Sequence, residues 1–242
     1  NGLSFSPPAN SETLCRRLYL DLIGLTPSPE QMTNFARAAK VDRKKAVEDL
    51  TTRLMKNPAY GERWARPWLD VARYADSNGF EKDVAREQWA WRDWVIKSIN
   101  KDQPYNEFLI EQIAGDLIPN RTQDQLVATG FLRNGMVNEE GAIIPEQFRV
   151  EGIFDRMDCV GKSVLGLSLQ CAQCHSHKFD PISHDEYYGM FAFLNDTHEA
   201  QSWVYTEEQL EKINTIQSRV ANLEESIKTK HPDWQQAIAV WE

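Results

Sequence analysis

The chain has 242 residues, of which 41% are hydrophobic and 26% charged, and its formal net charge is −9. That is enough apolar residue for a sizeable core in an ordinary globular chain. The acidic balance, without a Lys/Arg run of the kind that builds a basic face, argues against a nucleic-acid partner, and no apolar stretch approaches the roughly 20 residues that span a bilayer.

Helical signals then follow one another along the chain. Asn10 or Ser11 caps a helix through Leu14, Leu18 and Leu22 that Gly24 stops. Ser28-Pro29-Glu30-Gln31 is a capping box with proline at the first helical position. Val47, Leu50 and Leu54 predict a helix over Asp42–Met55. Asn57-Pro58 breaks the chain before a helix carrying Trp64, Trp68, Leu69, Ala72 and Tyr74, which Asp76-Ser77-Asn78-Gly79 closes. Trp91, Trp94, Val95 and Ile99 mark the next helix, and Pro104 opens another that ends near Gly115. The eight Trp residues are expected mostly in the core or in pocket walls. Asn134 to Ile144 reads as irregular, one long helix is expected from Pro145 to Leu165, and another from Asp185 to Leu194. No pair of runs alternates with period two, so little sheet is expected.

The tail differs. Thr206-Glu207-Glu208-Gln209 is a capping box, and behind it Leu210, Ile213, Ile216, Val220, Leu223 and Ile227 form the stripe of a helical hairpin or coiled coil. Pro232 starts a second helical piece through Trp234 to Trp241. The expected division is a helical domain over 1–205 and an appendage over 206–242 leading to a following domain. The chain opens at Asn1 without an initiator Met, which reads as a processed or trimmed fragment.

Of the four cysteines, Cys171 and Cys174 form Cys-x-x-Cys followed directly by His175. That spacing is the signature of c-type haem attachment: each thiol adds to one vinyl group, and the adjacent imidazole is held under the iron. Two rivals stand beside it. Cys171, Cys174 and His177 can supply three zinc ligands, although no second Cys pair completes such a site. A redox dithiol is the other, and the strand–helix alternation that normally accompanies one is missing. Cys15 and Cys159 can pair in an oxidising compartment or be buried thiols.

The flanking residues carry a family resemblance spanning Leu14 to Asn195. The stretches are Arg16 to Leu25, Tyr60 to Trp64, Trp68 to Ser77, Ala114 to Leu117, Asp155-Arg156, Gly166 to Gln170, His177 to Ile182 and Tyr187-Tyr188. Together they resemble the exported cytochrome c domain abundant in planctomycetes, catalogued as a domain of unknown function. The resemblance implies a periplasmic or otherwise exported protein with one covalent haem c, and a second domain following it. It departs at Arg133-Asn134-Gly135-Met136, where the family often carries His before the Met.

The proximal ligand is expected to be His175. His177 is too close in sequence to reach the opposite haem face, so a propionate, a carboxylate or the backbone is its expected contact. For the sixth ligand His198, His184 and Met136 are candidates, and His198 is preferred because it returns after one helix. Met136 reads otherwise as core packing. Arg149 and Arg156 lie seven apart on one helix face and suit propionates by bidentate bonding, or they pair with Glu139, Glu140, Glu146 and Asp155 on the helices. Asp76, Asp83 and Asp116 are further polar candidates.

The expected fold class is mainly α, an irregular multi-helix haem domain with the C-terminal appendage. The first functional expectation is electron transfer for a redox partner protein or following domain, with a carbohydrate as the partner's substrate. The alternatives are a haem enzyme, a peroxidase or dehydrogenase with an open iron site, and a structural domain holding zinc.

Overall fold

The computed structural model describes residues 6–197, 200–235 and 239. The protein is mainly helical: 67% of it is helix, and the described residues form no strand. The described residues hold ten α-helices: α1 Ser11–Ile23, α2 Pro29–Val41, α3 Arg43–Met55, α4 Ala59–Val71, α5 Trp89–Asn100, α6 Tyr105–Ala114, α7 Gln123–Ala128, α8 Pro145–Val160, α9 His184–Asn195 and α10 Glu207–Lys230. A single antiparallel bridge, Ser77 with Ala85, is the extent of strand pairing among them.

Local chemistry sets the helix starts. Asn10 Oδ1 accepts from the Thr13 N–H at 2.8 Å, and Ser28 and Gln31 satisfy each other's backbone N–H at 2.7 and 3.2 Å. The carboxylate of Asp42 does the same for Lys45. Each such cap is worth about 1 kcal/mol. Gly24, at φ 70°, ends α1 in the left-handed conformation that lacks a Cβ penalty.

Three apolar clusters hold the helices together. Cys15, Tyr19, Ile23, Phe35, Leu50 and Leu54 join α1, α2 and α3. Ala65, Trp91, Trp94, Val95, Phe108 and Phe131 join α4, α5 and α6 to the turn that follows α7. Ile153, Met157, Leu169, Ala172 and Tyr187 pack α8 and α9 around the segment between them. Each large side chain so buried contributes roughly 1.5–3 kcal/mol. Cys15 and Cys159 are free and buried, and they lie in different clusters, so they form no disulfide.

Several expectations are corrected. The helix expected over Pro145–Leu165 is α-helical only to Val160; Gly161–Leu165 is a wider π turn closed by Gly166 at φ 67°. There the Ser163 hydroxyl donates to the Cys159 carbonyl at 2.6 Å, taking up a helical acceptor. Helix α7 was not anticipated, although Thr122 and Gln125 form a complete capping box. Trp89 and Trp203 are exposed rather than in the core, whereas Trp64, also exposed, lines a groove with Trp68 and Val71. Met136 is 71% exposed and is not core packing.

The chain divides into two compact units, Asn1–His198 and Glu199–Glu242. In the second, α10 is capped by Thr206 and Gln209, and none of its residues is buried. Of the second helical piece, Trp234 and Gln235 are helical, with the Lys228 ammonium 5.3 Å from the Trp234 ring centroid; most of the rest lies outside the described residues. Because α10 buries nothing, a chain ending at Tyr205 is expected to melt within about 2 °C of the full chain. A calorimetric scan that shows a larger drop rejects separability.

Candidate functional site

The Cys171–His175 segment sits between α8 and α9 on a 3₁₀ turn, Leu169–Gln173. Residues three apart eclipse on such a turn. Leu169 and Ala172 are one such pair, and both are buried against Ile153, Met157 and Tyr187. Cys171 lies in the turn and Cys174 caps its end, and both are free and exposed. The apolar pair fixes the turn, and the thiols are left on its outer side.

His175 is exposed, and its Nδ1 is 2.8 Å from the Ser176 carbonyl. A carbonyl only accepts, so this contact places the proton on Nδ1 and leaves the Nε2 lone pair available. His177 is different. Its side chain is 4% exposed, and its Nδ1 accepts the backbone N–H of Asp180 at 2.9 Å and of Phe179 at 3.3 Å. The Asp180 carboxylate lies 3.3 Å from the same nitrogen, but a nitrogen that accepts two N–H bonds does not donate to it. His177 is thus a brace for the loop, which its own N–H closes onto the Ile182 carbonyl at 2.8 Å.

The turn is tied to α9 as well. The ring Nε2 of His184 and the hydroxyl of Tyr188 both reach the Gln173 carbonyl, at 3.1 and 3.2 Å, and the His184 N–H donates to Ser176 Oγ. Behind the turn, Asp158 Oδ1 and the Tyr187 hydroxyl are buried without a hydrogen-bond partner. Burial pushes the Tyr187 phenol up to about 12, so it stays protonated. Sequence reasoning passed over Asp158, whose partnerless oxygen no spacing signals.

The three residues weighed for zinc do not converge, since His177 is committed inside its loop. Among the described residues no three His, Cys, Asp or Glu side chains are grouped to hold a metal ion. Met136 lies against Gly79, whose added Cβ would meet its sulfur. His198 lies outside the described residues. Arg149 grips Glu146 through Nε and Nη2 and reaches the Asn195 carbonyl and side chain through Nη1, so it fastens α8 to the end of α9. Asp76 accepts from the Tyr74 hydroxyl, and Asp83 accepts from the Gly79 N–H.

A second polar cluster gathers residues from four separated segments. Arg73 follows α4 at φ 61°, a left-handed conformation that costs a non-glycine residue about 1–2 kcal/mol. Its Nη2 pairs with Asp155 of α8. Arg86 Nη1 donates to the Gly135 carbonyl at 2.7 Å. An added Cβ on Gly135 would strike Asp155 and approach Arg73 Nη2 to 3.3 Å, so the backbone there fits between the two. Burial, and then the charges of Arg133 and Arg73, hold Arg86 below the usual arginine range. Arg156 is lowered by burial first and next by Arg133. The loop bearing Arg86 is stitched to the Gly135 segment by Val137 N–H to Asn78 carbonyl, and by the Glu81 N–H to the Glu140 carboxylate.

The protein is therefore a mainly helical domain that presents an outward Cys-x-x-Cys-His turn between two packed helices. It belongs to the family described as a protein of unknown function, DUF1549 (PSCyt2), whose model matches residues 1–199. No curated protein and no solved structure matches the chain.

Proposed function

We propose that residues 1–205 are an exported c-type cytochrome domain with one haem held covalently by Cys171 and Cys174 and ligated by His175. It would carry electrons for a partner oxidoreductase, either a separate protein or a following domain, in carbohydrate metabolism. The observation that carries this reading is the Cys171–His175 turn. Its two thiols are free and exposed, one in the turn and one capping it, and the Nδ1–H of His175 is committed to the Ser176 carbonyl. The donor set therefore fits the group: thiols for two thioether bonds, and an Nε2 lone pair for iron. Each thiol adds across one vinyl group, sulfur to one carbon and hydrogen to the other, with nothing released.

When bound, the haem supplies a one-electron couple whose potential follows from its axial ligands, hydrogen bonding and burial. The chain's own residues hold and orient it. His177 braces the loop, while His184 and Tyr188 fix the Gln173 carbonyl beside the second thiol. Arg149 is engaged with Glu146 and Asn195, and Arg156 on the same helix is the second guanidinium that would face a propionate.

One observation favours a second reading, a haem enzyme with an open iron position. His177 and His184, the described histidines nearest the motif, are both engaged elsewhere through ring nitrogens. The primary test is the intact mass after acid denaturation of protein made alongside a haem-attachment system. The mass is expected to exceed the polypeptide by one haem. The bare polypeptide mass rejects the attachment.

A further inference from the structure

We propose that Arg73 and Arg86, with Arg133 and Arg156 adding positive charge nearby, form a binding site for the oxyanion group of an acidic ligand. The site draws on the end of α4, the loop before α5, the segment after α7, and α8. Its centre is the Gly135 backbone, against which Arg73, Arg86 and Asp155 all lie.

The case rests on donors without acceptors. Arg73 Nε and Nη1, Arg86 Nε and Nη2, and Asn134 Nδ2 are buried donors with no hydrogen-bond partner, as is the acceptor Oδ1 of Asn134. Asn134, 2% exposed, sits between Arg133 and Gly135 in the chain. Buried N–H donors on charged groups are rarely left unmet in a folded protein. The Nε–Nη2 edge of Arg86 is a complete open fork that matches two lone pairs of a carboxylate or sulfate, while Arg73, whose Nη2 holds Asp155, adds single donors. Charge points the same way. Asp155 offsets part of the positive charge at Arg73 and Arg156, whereas Arg86 feels the like charges of Arg133 and Arg73. The left-handed φ of Arg73 is a third, independent sign that the backbone is held there against its own preference.

The acidic group has two possible sources with the same chemistry: a carboxylate of the covalently attached haem, which rests on the reading above, or a separate acidic ligand. Sulfate is the probe, titrated calorimetrically at constant ionic strength made up with sodium chloride. One titration uses the full chain with Cys171→Ser and Cys174→Ser, which cannot attach haem, and the other uses the haem-loaded wild type. Saturable sulfate binding to the double-Ser chain is expected, weakened about tenfold or more by adding Arg86→Gln. Binding that disappears in the haem-loaded protein identifies a haem carboxylate as the occupant, and binding that persists identifies a separate ligand. Absence of saturable sulfate binding in the double-Ser chain, or equal binding with Arg86→Gln, overturns the site. Should circular dichroism show that Arg86→Gln does not fold, Asp155→Asn in the same background reads the opposite sign. Removing that carboxylate is expected to tighten sulfate binding, and unchanged or weaker binding overturns the site. If intact mass shows no haem on the wild type, the cytochrome reading fails while the sulfate titration still decides this one.

Discussion

Gly115→Ala is expected to destabilise the protein by about 3 kcal/mol and to lower its thermal midpoint by about 10 °C. Gly115 is buried in the 3₁₀ turn that leaves α6, with ordinary helical dihedrals, so its role is room and not conformational freedom. A Cβ there would collide with the Gln125 carbonyl oxygen and come within 3.0 Å of its carbon and 3.3 Å of the Thr129 methyl. The obstacle is backbone, and it cannot swing aside as a side chain can. Helix α7 is also pinned: Gln125 donates to Glu111 at 3.1 Å, and Lys97 pairs with Asp124. An added methyl must push α7 as a whole from α6, opening gaps around Ala128 and Phe131 in the central cluster. Two glycines serve as controls, since a Cβ at either Gly141 or Gly189 meets nothing within 4 Å. Gly141→Ala should stay within about 0.5 kcal/mol of wild type. Gly189, exposed within α9, should gain about 0.5–1 kcal/mol as Ala. Chemical denaturation of the three variants checks the set, and a Gly115→Ala midpoint equal to that of Gly141→Ala refutes the close-approach account.

What the sequence made legible was what adjacent residues decide. Asn10, Ser28 and Thr206 announce their helices because a cap is a contact three residues long. The same signal stood at Thr122 and Gln125, but α7 is six residues long and has too few apolar positions for periodicity to reveal. The end of α8 was misplaced because Lys162, Val164 and Leu165 suit an α-helix as well as a π turn; the choice is made by Leu169, which packs where a Cβ on Gly161 would stand. Exposure at Trp64 and Trp89 was equally hidden, since a helix with aromatic residues on two faces does not say which face is covered.

The candidate site divides along the same line. Five contiguous residues made the Cys171–His175 turn readable, and its spacing needed no tertiary information. The arginine cluster could not be read that way. Arg73 and Arg86 are separated from Gly135 by long stretches of chain, and only packing brings them to it. The family-like stretches contained Arg73 and Arg156, yet nothing in their spacing linked one to the other. The strained φ of Arg73 is invisible in sequence because arginine gives no warning of it, as glycine would.

His198→Ala is expected to convert a low-spin haem spectrum into a high-spin one and to raise affinity for external ligands such as cyanide. On the proposed haem reading, His175 would supply one iron ligand, and a second protein ligand would have to come from chain more distant than the motif itself. Helix α9 provides that distance: its 12 residues span about 18 Å at 1.5 Å per residue, and His198 follows shortly after its end. The nearer histidines are poorly suited. His177 already uses Nδ1 as an acceptor inside its loop, and the Nε2 of His184 is bonded to the Gln173 carbonyl. Met136 is exposed and carries a soft thioether, so it is the replacement candidate. Oxidised and reduced optical spectra of the wild type, His175→Ala and His198→Ala separate these cases. His175→Ala should lose the proximal bond while keeping the haem covalently attached through both cysteines. A low-spin spectrum unchanged in His198→Ala rejects His198 and turns attention to Met136, whose own replacement by Ala then makes the same test. A wild type that is already high-spin rejects any sixth protein ligand. It would shift the preferred function from electron carrier to haem enzyme, because an iron that keeps one coordination position open can bind a substrate or an oxidant directly.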